Sequence, residues 1–506
     1  MKLPVLSKKI LGGINARDLD IPDSACFQYP EKVVQFGTGV LLRALVDYFI
    51  DKANKQGLFR GRIVVIKSTA TGGLDVFANQ DNLYTLCIRG MESGKTKEEN
   101  ILNASISRVL SAQDSWTAIL ACATNPDLEI IVSNTTEVGL VFEDDNIHDT
   151  PPRSFPGKLL AFLYERFKFF SADPEKGFVI IPTELLPDNG KVLKSILLRL
   201  AHHQELEPSF ISWLDQANDF CSSLVDRIVP GKLPAKDFDR TTQLLGYKDD
   251  LMIMSEVYRL WAIETSSERT RKILSFATSD PGVIIARDIH IYRELKLRIL
   301  NGSHTLSCGL GVLSGFDIVR EAMADATFFN FENRLIKEEI IPVITDKNLS
   351  RDMAMEFADR VLDRYRNPYL EHKWLSITMQ YSSKMKTRDL PLLVAYFEKF
   401  GKIPSLMSLG WAAHILFMRC LPGPDRQYFG EYKEIRYPVN DNLAISYSAA
   451  WSNPENVVER ILGDVKLWGR DLNQLRGFSE SVSKNLKLLE IHGANPTIAM
   501  VLTEKK

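Results

Sequence analysis

Three side chains in the stretch LKLRILNGSHT, residues Leu295 to Thr305, could act together on a carbonyl: Lys296, Asn301 and His304. In a reduction, an ammonium supplies a proton to the developing alkoxide while an amide and an imidazole donate hydrogen bonds to it. At about 100° per residue of α-helix, His304 lies about 80° from Lys296 and Asn301 about 140° from it, so all three border one cleft, with Gly302 free to distort the helix. A lysine held against apolar surface releases its proton more readily than a solvated one, and Arg298 adds to this if it turns inward. The competing reading is an amphipathic helix in which Lys296 snorkels to water and His304 is a satisfied core residue.

Such a trio needs a hydride source. VVQFGTGVLLRA places glycines where a strand turns into a helix, the position at which backbone N–H groups meet a pyrophosphate. The strand supplies Val33, Val34, Gln35 and Phe36, the turn Gly37, Thr38 and Gly39, and the helix Val40, Leu41, Leu42, Arg43 and Ala44. Leu42 replaces the third glycine of the usual fingerprint, and a bare Gly-x-Gly is also a common turn. Arg43 reads either as a cation near the phosphates or as a solvated helix residue. After the second strand the run is Lys67-Ser68-Thr69-Ala70-Thr71, with no acid until Asp75. An acid there would hold ribose hydroxyls and a lysine suits a 2′-phosphate, so NAD against NADP stays open.

Strand-like runs KVVQF, RIVVIK, LEIIVSN and GFVIIP, separated by helical stretches such as VLLRALVDYFIDKANKQG, predict an α/β domain with a mainly parallel sheet covered on both faces. From about Ile284 long helical patterns take over (DIHIYRELKLRIL, LIKEEIIPVI, MAMEFADRVLDRYRN, DLPLLVAYFEKF). The expected organisation is a Rossmann-type dinucleotide domain over 1–283, with a seam near Asp280-Pro281-Gly282. A mostly α-helical substrate and catalytic domain over 284–506 follows, with the active site in the cleft between them. Ligands of open α/β sheets bind beyond the carboxyl ends of strands. This makes Asn134, Thr135 and Glu137 of VSNTTEVG, and Asp188-Asn189-Gly190 of IPTELLPDNG, candidates for ligand contact, or simply a helix cap and a turn.

The totals exclude other classes. A chain of 506 residues with 62 basic and 64 acidic side chains, net charge −2, has no general attraction for nucleic acid or an anionic membrane. Six scattered cysteines without Cys-x-x-Cys, and eight histidines without His-Glu-x-x-His, argue against a disulfide scaffold and for a metal-independent site in a reducing cytoplasm. The N-terminus lacks the apolar core of a signal peptide and no run reaches membrane-spanning length.

The glycine loop, VSNTTEVG, LVDRIVP and above all Lys-x-x-x-x-Asn-Gly-x-His resemble the polyol-specific long-chain dehydrogenases, the mannitol dehydrogenase family. QYPEKVVQFGTGVLLRALVD, WLDQANDFCSSLVDRIVPG and RYRNPYLEHKWLSI are similar to its branch that interconverts keto-uronates and aldonates. The resemblance implies NAD(H) and Lys296 as general acid and base. It further implies that Asn301 and Asn189 polarise the carbonyl, that His304 holds substrate, and that Asp226 and Lys384 lie at the substrate. Asp226-Arg227 reads equally as a structural ion pair. Where polyol-oxidising relatives carry an arginine this chain aligns Ser376, which points to a different carboxylate clamp with Lys384, Arg366 and His372 as candidates. Gln380-Tyr381 also departs from the family pattern, with Tyr381 expected to narrow the pocket. The expected partner is a small keto-uronate or aldonate, and the expected state a monomer or small homo-oligomer. The rivals are a sister reaction on an isomeric keto-uronate or a polyol, and a cofactor-binding protein without turnover.

Overall fold

Strands β1 (Glu31–Phe36), β2 (Arg62–Lys67), β3 (Ile106–Ser111), β4 (Ile130–Ser133), β5 (Val179–Pro182) and β6 (Asp219–Phe220) form one sheet in the order β3-β2-β1-β4-β5-β6. Every pairing in it is parallel. A parallel sheet covered on both faces needs apolar residues at successive positions, and RIVVIK is buried along its whole length. Alternate side chains feed two cores. Val33, Ile63, Val65, Ile130 and Val132 face one way with Phe49 and Trp261. Val34, Phe36, Val64, Ile66 and Ile131 face the other way with Leu159, Phe162 and Leu197. This is the doubly wound Rossmann order, whose reversal at β1 and β4 opens a ligand crevice.

The computed structural model describes residues 3–14, 19–69, 73–135 and 139–504. Ala70, Thr71 and Glu137 lie outside the described residues. The chain divides into two units, Met1–Arg89 with Lys97–Ile289, and Gly90–Thr96 with His290–Lys506. The first unit also holds most of a four-stranded sheet built on Tyr84–Glu92 and Lys95–Asn103, and a three-stranded sheet of β7 (Ser223–Asp226), β8 (Leu260–Glu264) and β9 (Val283–Ala286). The Asp280-Pro281-Gly282 seam is therefore a turn feeding β9, which pairs with β8. Asp280 is a buried hub, ion-paired to Lys52 at 2.6 Å and Arg259 at 2.8 Å. Burial opposes its ionisation, but Arg259 and Lys52 outweigh this and hold its carboxyl below the usual range.

The helix expected over Val40–Gly57 is broken in two, α1 (Val40–Ala44) and α2 (Val46–Lys55). Leu45 leaves helical geometry at φ −123° and its N–H closes a tight turn onto Leu42. The second unit is mostly helical but adds a small antiparallel sheet over Cys420–Pro422, Tyr428–Tyr432 and Ile435–Pro438. Its long helices are interrupted by three π-helical segments, Leu295–Gly302, Leu335–Ile340 and Met385–Asp389.

Candidate active site

In the first unit the glycine turn is built to leave its backbone open. Gly37 has φ +130°, and a Cβ there would sit 3.1 Å from Leu42 Cδ1 and 3.2 Å from the Asn134 carbonyl, so glycine is required. Its N–H bonds the Ile66 carbonyl at 2.9 Å, and Gln35 Nε2 donates to its carbonyl at 3.1 Å. Gly39 precedes α1 with nothing within 4 Å of a Cβ position, open space beside the backbone of the kind a pyrophosphate needs. Gly37 to Leu41 are accessible, whereas Val33, Val34, Gln35, Phe36, Leu42, Arg43 and Ala44 are buried and shape the turn from behind.

Neither reading of Arg43 holds. It is buried, donates to the Leu251 carbonyl at 2.8 Å and lies over Phe77 and Tyr84. Lys67 is likewise turned back, its Nζ 2.6 Å from the Thr69 carbonyl, which removes the motive for a 2′-phosphate. Beyond the carboxyl ends of β4 and β5, Asn134 donates to Thr183 at 3.0 Å. The buried Glu184 accepts from Thr135 N at 2.8 Å and from Ser133 Oγ at 3.2 Å. The sequence reading did not single out Glu184, although its place directly after a strand was the available signal.

Asn189 opens the helix Asn189–His203 and is fully buried. Its amide donates to the carbonyls of Glu184 (2.9 Å) and Ser223 (3.0 Å) and accepts from the N–H groups of Gly190 (2.9 Å) and Ser223 (2.8 Å). With both N–H bonds occupied it has none for a carbonyl, so the expected polarising role gives way to that of a strut between β5 and β7. Asp226 ends β7 and is buried. Its neighbour Arg227 bonds the carbonyls of Glu256 and Ala44 and lies over Tyr48.

Lys296, Asn301 and His304 belong to the second unit. The first two lie in the π-helical Leu295–Gly302, which runs into the helix Ser303–Leu313. Because π-helical bonding is i→i+5, residues five apart stack, so Lys296 and Asn301 share a face rather than standing about 140° apart as in an α-helix. Both remain partly exposed. Among the described residues the Asn301 side chain has no hydrogen-bond partner, while its carbonyl accepts from Thr305 Oγ1 at 2.7 Å.

A second π-segment braces this one. Pro391 cannot supply an N–H to the carbonyl four residues back, which belongs to Thr387. Arg298 Nη1 fills that gap, donating to Thr387 O at 3.1 Å and Arg388 O at 2.7 Å, while its Nε pairs with Glu294 at 3.0 Å. Arg298 is thus a staple between π-segments, contrary to the expectation that it acts on Lys296. Gly302 allows close packing, since a Cβ would lie 3.1 Å from Asp389 Oδ1. Tyr365 pins the end of the segment through the Leu300 carbonyl at 2.7 Å and Ser303 Oγ at 2.9 Å.

The His304 ring stacks on Tyr365 at 3.9 Å, with His372 and Trp374 edge-on at 5.4 and 5.8 Å. Burial, with His372, Arg364, Arg388 and Lys384 around it, pushes its basicity far below the ordinary range, so the ring is neutral. The same burial and cations lower His372 and Lys384. Lys384 Nζ donates to the Ile377 carbonyl at 2.8 Å. Arg366 pairs with Asp363 at 2.8 Å and lies over Phe329, occupied within its own helix rather than at His304. Ser376 is exposed. Tyr381 does not narrow a pocket: it is fully buried, its hydroxyl accepts from Gly309 N at 3.1 Å, and its ring packs on His414 and Phe417.

The mannitol dehydrogenase Rossmann domain matches residues 31–274 and the mannitol dehydrogenase C-terminal domain residues 288–490. An altronate oxidoreductase of Bacillus subtilis (strain 168) is 37% identical over 462 residues, 90% of this chain and 92% of the relative. Another, of Klebsiella pneumoniae (strain 342), is 37% identical over 93% of this chain and 97% of its own length. Among solved structures, Pseudomonas fluorescens mannitol 2-dehydrogenase in complex with NAD and D-mannitol covers 100% of both chains with TM-score 0.69 and 22% identity. A D-sorbitol dehydrogenase covers 98% of this chain and 100% of its own with TM-score 0.76 and 18% identity. With both domains matched in order and relatives of this identity aligned over nine-tenths of its length, the chain belongs to the mannitol dehydrogenase family of oxidoreductases.

Proposed function

We propose that the protein reduces D-tagaturonate to D-altronate with NADH, and catalyses the reverse oxidation, in the breakdown of galacturonate. The observation that carries this reading is the placing of Lys296 and Asn301 on one face of a π-helical segment beside a neutral His304 ringed by cations. The substrate class comes from the relatives, which are altronate oxidoreductases. The open Gly37–Gly39 backbone suits a dinucleotide pyrophosphate, and the back-turned Lys67 favours NAD over a 2′-phosphorylated cofactor.

When bound, the nicotinamide supplies the hydride to the ketone carbon. Lys296 gives its proton to the ketone oxygen as charge develops there and takes it back in the oxidation. The free N–H of Asn301 donates to the same oxygen, a contact that strengthens as the alkoxide forms. Neutral His304 orients a neighbouring hydroxyl. Lys384 adds positive potential for an anionic substrate, and His372, itself lowered by burial and by Arg364, lines the site as a neutral ring. A reducing cytoplasm suits six buried, unpaired cysteines.

The test is loss of NADH absorbance with D-tagaturonate, D-fructuronate and D-fructose in parallel, and with NADPH in place of NADH. Selective turnover of D-tagaturonate with NADH supports the proposal. Preference for either other ketone reassigns the substrate and keeps the mechanism. Cofactor binding without turnover of any of them contradicts it.

A further inference from the structure

We propose that Arg388 recognises the carboxylate of the substrate; this rests on the keto-uronate reading above. The second unit gathers several cations near His304, and the structure accounts for most of them. Arg298 is held by Glu294 and two carbonyls, Arg366 by Asp363, and Lys384 by the Ile377 carbonyl. Arg364 is buried, with 6% of its surface exposed. Lys296 is placed for the proton.

Arg388 differs from all of these. It is partly buried, and among the described residues no carboxylate lies within ion-pair distance of it. The neighbouring Asp389 carboxyl turns toward Gly302, and burial pushes it well above the usual carboxylate range, which weakens the compensating charge it offers Arg388. The one side-chain hydrogen bond of the guanidinium is Nη1 to Thr305 Oγ1 at 3.1 Å, leaving the Nε–Nη2 edge free among the described residues. That edge is the planar fork that accepts a carboxylate through two parallel hydrogen bonds. A guanidinium drawn partly out of water without a counter-charge is unfavourable until an anion arrives.

The position also fits. Thr305 follows His304 and bonds the Asn301 carbonyl at 2.7 Å, so the guanidinium is tied to the turn next to the groups that face the ketone. In D-tagaturonate the carboxylate lies at the opposite end of the carbon chain from the ketone, so recognition falls to a residue one turn away rather than to Lys296 itself. Lys384, four residues earlier on the same helix, reinforces the field without presenting a fork.

The experiment compares kcat/KM for D-tagaturonate and for D-tagatose, the neutral analogue with a hydroxymethyl group in place of the carboxylate. Wild type, Arg388→Met and Arg388→Lys are measured, and D-altronate binding is followed by calorimetry. Losing a charge-assisted pair should collapse the D-tagaturonate to D-tagatose ratio by about 10- to 100-fold in Arg388→Met, with D-altronate binding weakened in proportion. Arg388→Lys keeps the charge and the packing but not the fork, and should lose part of the ratio. A ratio unchanged in Arg388→Lys and Arg388→Met, or an equal loss on both substrates, overturns the assignment of Arg388. A wild-type enzyme with no preference for D-tagaturonate over D-tagatose instead overturns the keto-uronate reading beneath it.

Discussion

Asn189-Gly190 and Asn301-Gly302 are the same dipeptide in two places, and the chain uses them oppositely. Asn189 is fully buried with its donors and acceptor satisfied inside the first unit. Its glycine lets a helix start close against a strand, where a Cβ would lie 2.5 Å from Ser222 N. Asn301 sits on a partly exposed π-helical face with its side-chain amide unpartnered among the described residues, and its glycine makes room for Asp389. Residue type gives both the capacity to polarise a carbonyl. Availability of the N–H decides which one can. The buried acids repeat the contrast. Asp280 is satisfied by two cations, whereas Glu332 is fully buried with the Ser307 hydroxyl of the His304 helix beside it and no cation paired to it among the described residues.

The contrast breaks most visibly through Asn189. Asn189→Ala orphans two buried N–H groups and two carbonyls and should cost about 3–5 kcal/mol of stability in urea unfolding, with turnover of the folded fraction little altered. A fall in kcat at an unchanged unfolding midpoint would return Asn189 to the active site. Asn301→Ala should do the reverse, lowering kcat about 10²- to 10³-fold with its unfolding midpoint hardly moved. Asp280→Asn should cost about 3 kcal/mol at neutral pH by leaving Lys52 and Arg259 uncompensated. Because the native carboxyl is held below its ordinary 3.8, its stabilisation is present above that pH and lost as pH falls through the native value. Unfolding followed from pH 7 downward should therefore separate wild type from variant at pH 7, with the gap narrowing as pH falls below 3.8.

Glu332→Gln should stabilise. Burial pushes the native carboxyl from 4.5 to about 8, so the folded protein keeps a proton that the unfolded chain releases. Stability is then lost as pH rises between those values, by about 1.4 kcal/mol per pH unit for this group alone. The amide removes that loss, so the gain in melting temperature should grow from pH 5 to pH 8. A pH-independent gain would mean that Glu332 is ionised in the native state.

Much of this was legible in the sequence, because the informative patterns are local. Continuous apolar runs located β1, β2, β4 and β5, and the glycine turn followed from its place between strand and helix. The spacing of Lys296, Asn301 and His304 singled out the segment proposed to carry the chemistry. What escaped depends on partners distant in the chain. The hydrogen bonds that occupy Asn189 come partly from Ser223, and the contacts that bury Arg43 come from Leu251, Phe77 and Tyr84. The π-segments leave no period of their own in the sequence. Pro391 in the Met385–Phe400 stretch and Pro342 after Leu335–Ile340 were the visible signs that carbonyls there would need other donors. Arg388 carries no local mark in the sequence beyond its spacing from Lys384; what sets it apart, a guanidinium with no ion-pair partner among the described residues, depends on the fold.

The most direct test of the central claim is Lys296→Ala, assayed for NADH-dependent reduction of D-tagaturonate alongside wild type, with circular dichroism confirming the fold. The account predicts a loss of about 10²- to 10⁴-fold in kcat with an intact fold. Near-wild-type turnover by a folded Lys296→Ala enzyme would contradict it, because no other group on the Leu295–Gly302 face is placed to deliver the proton.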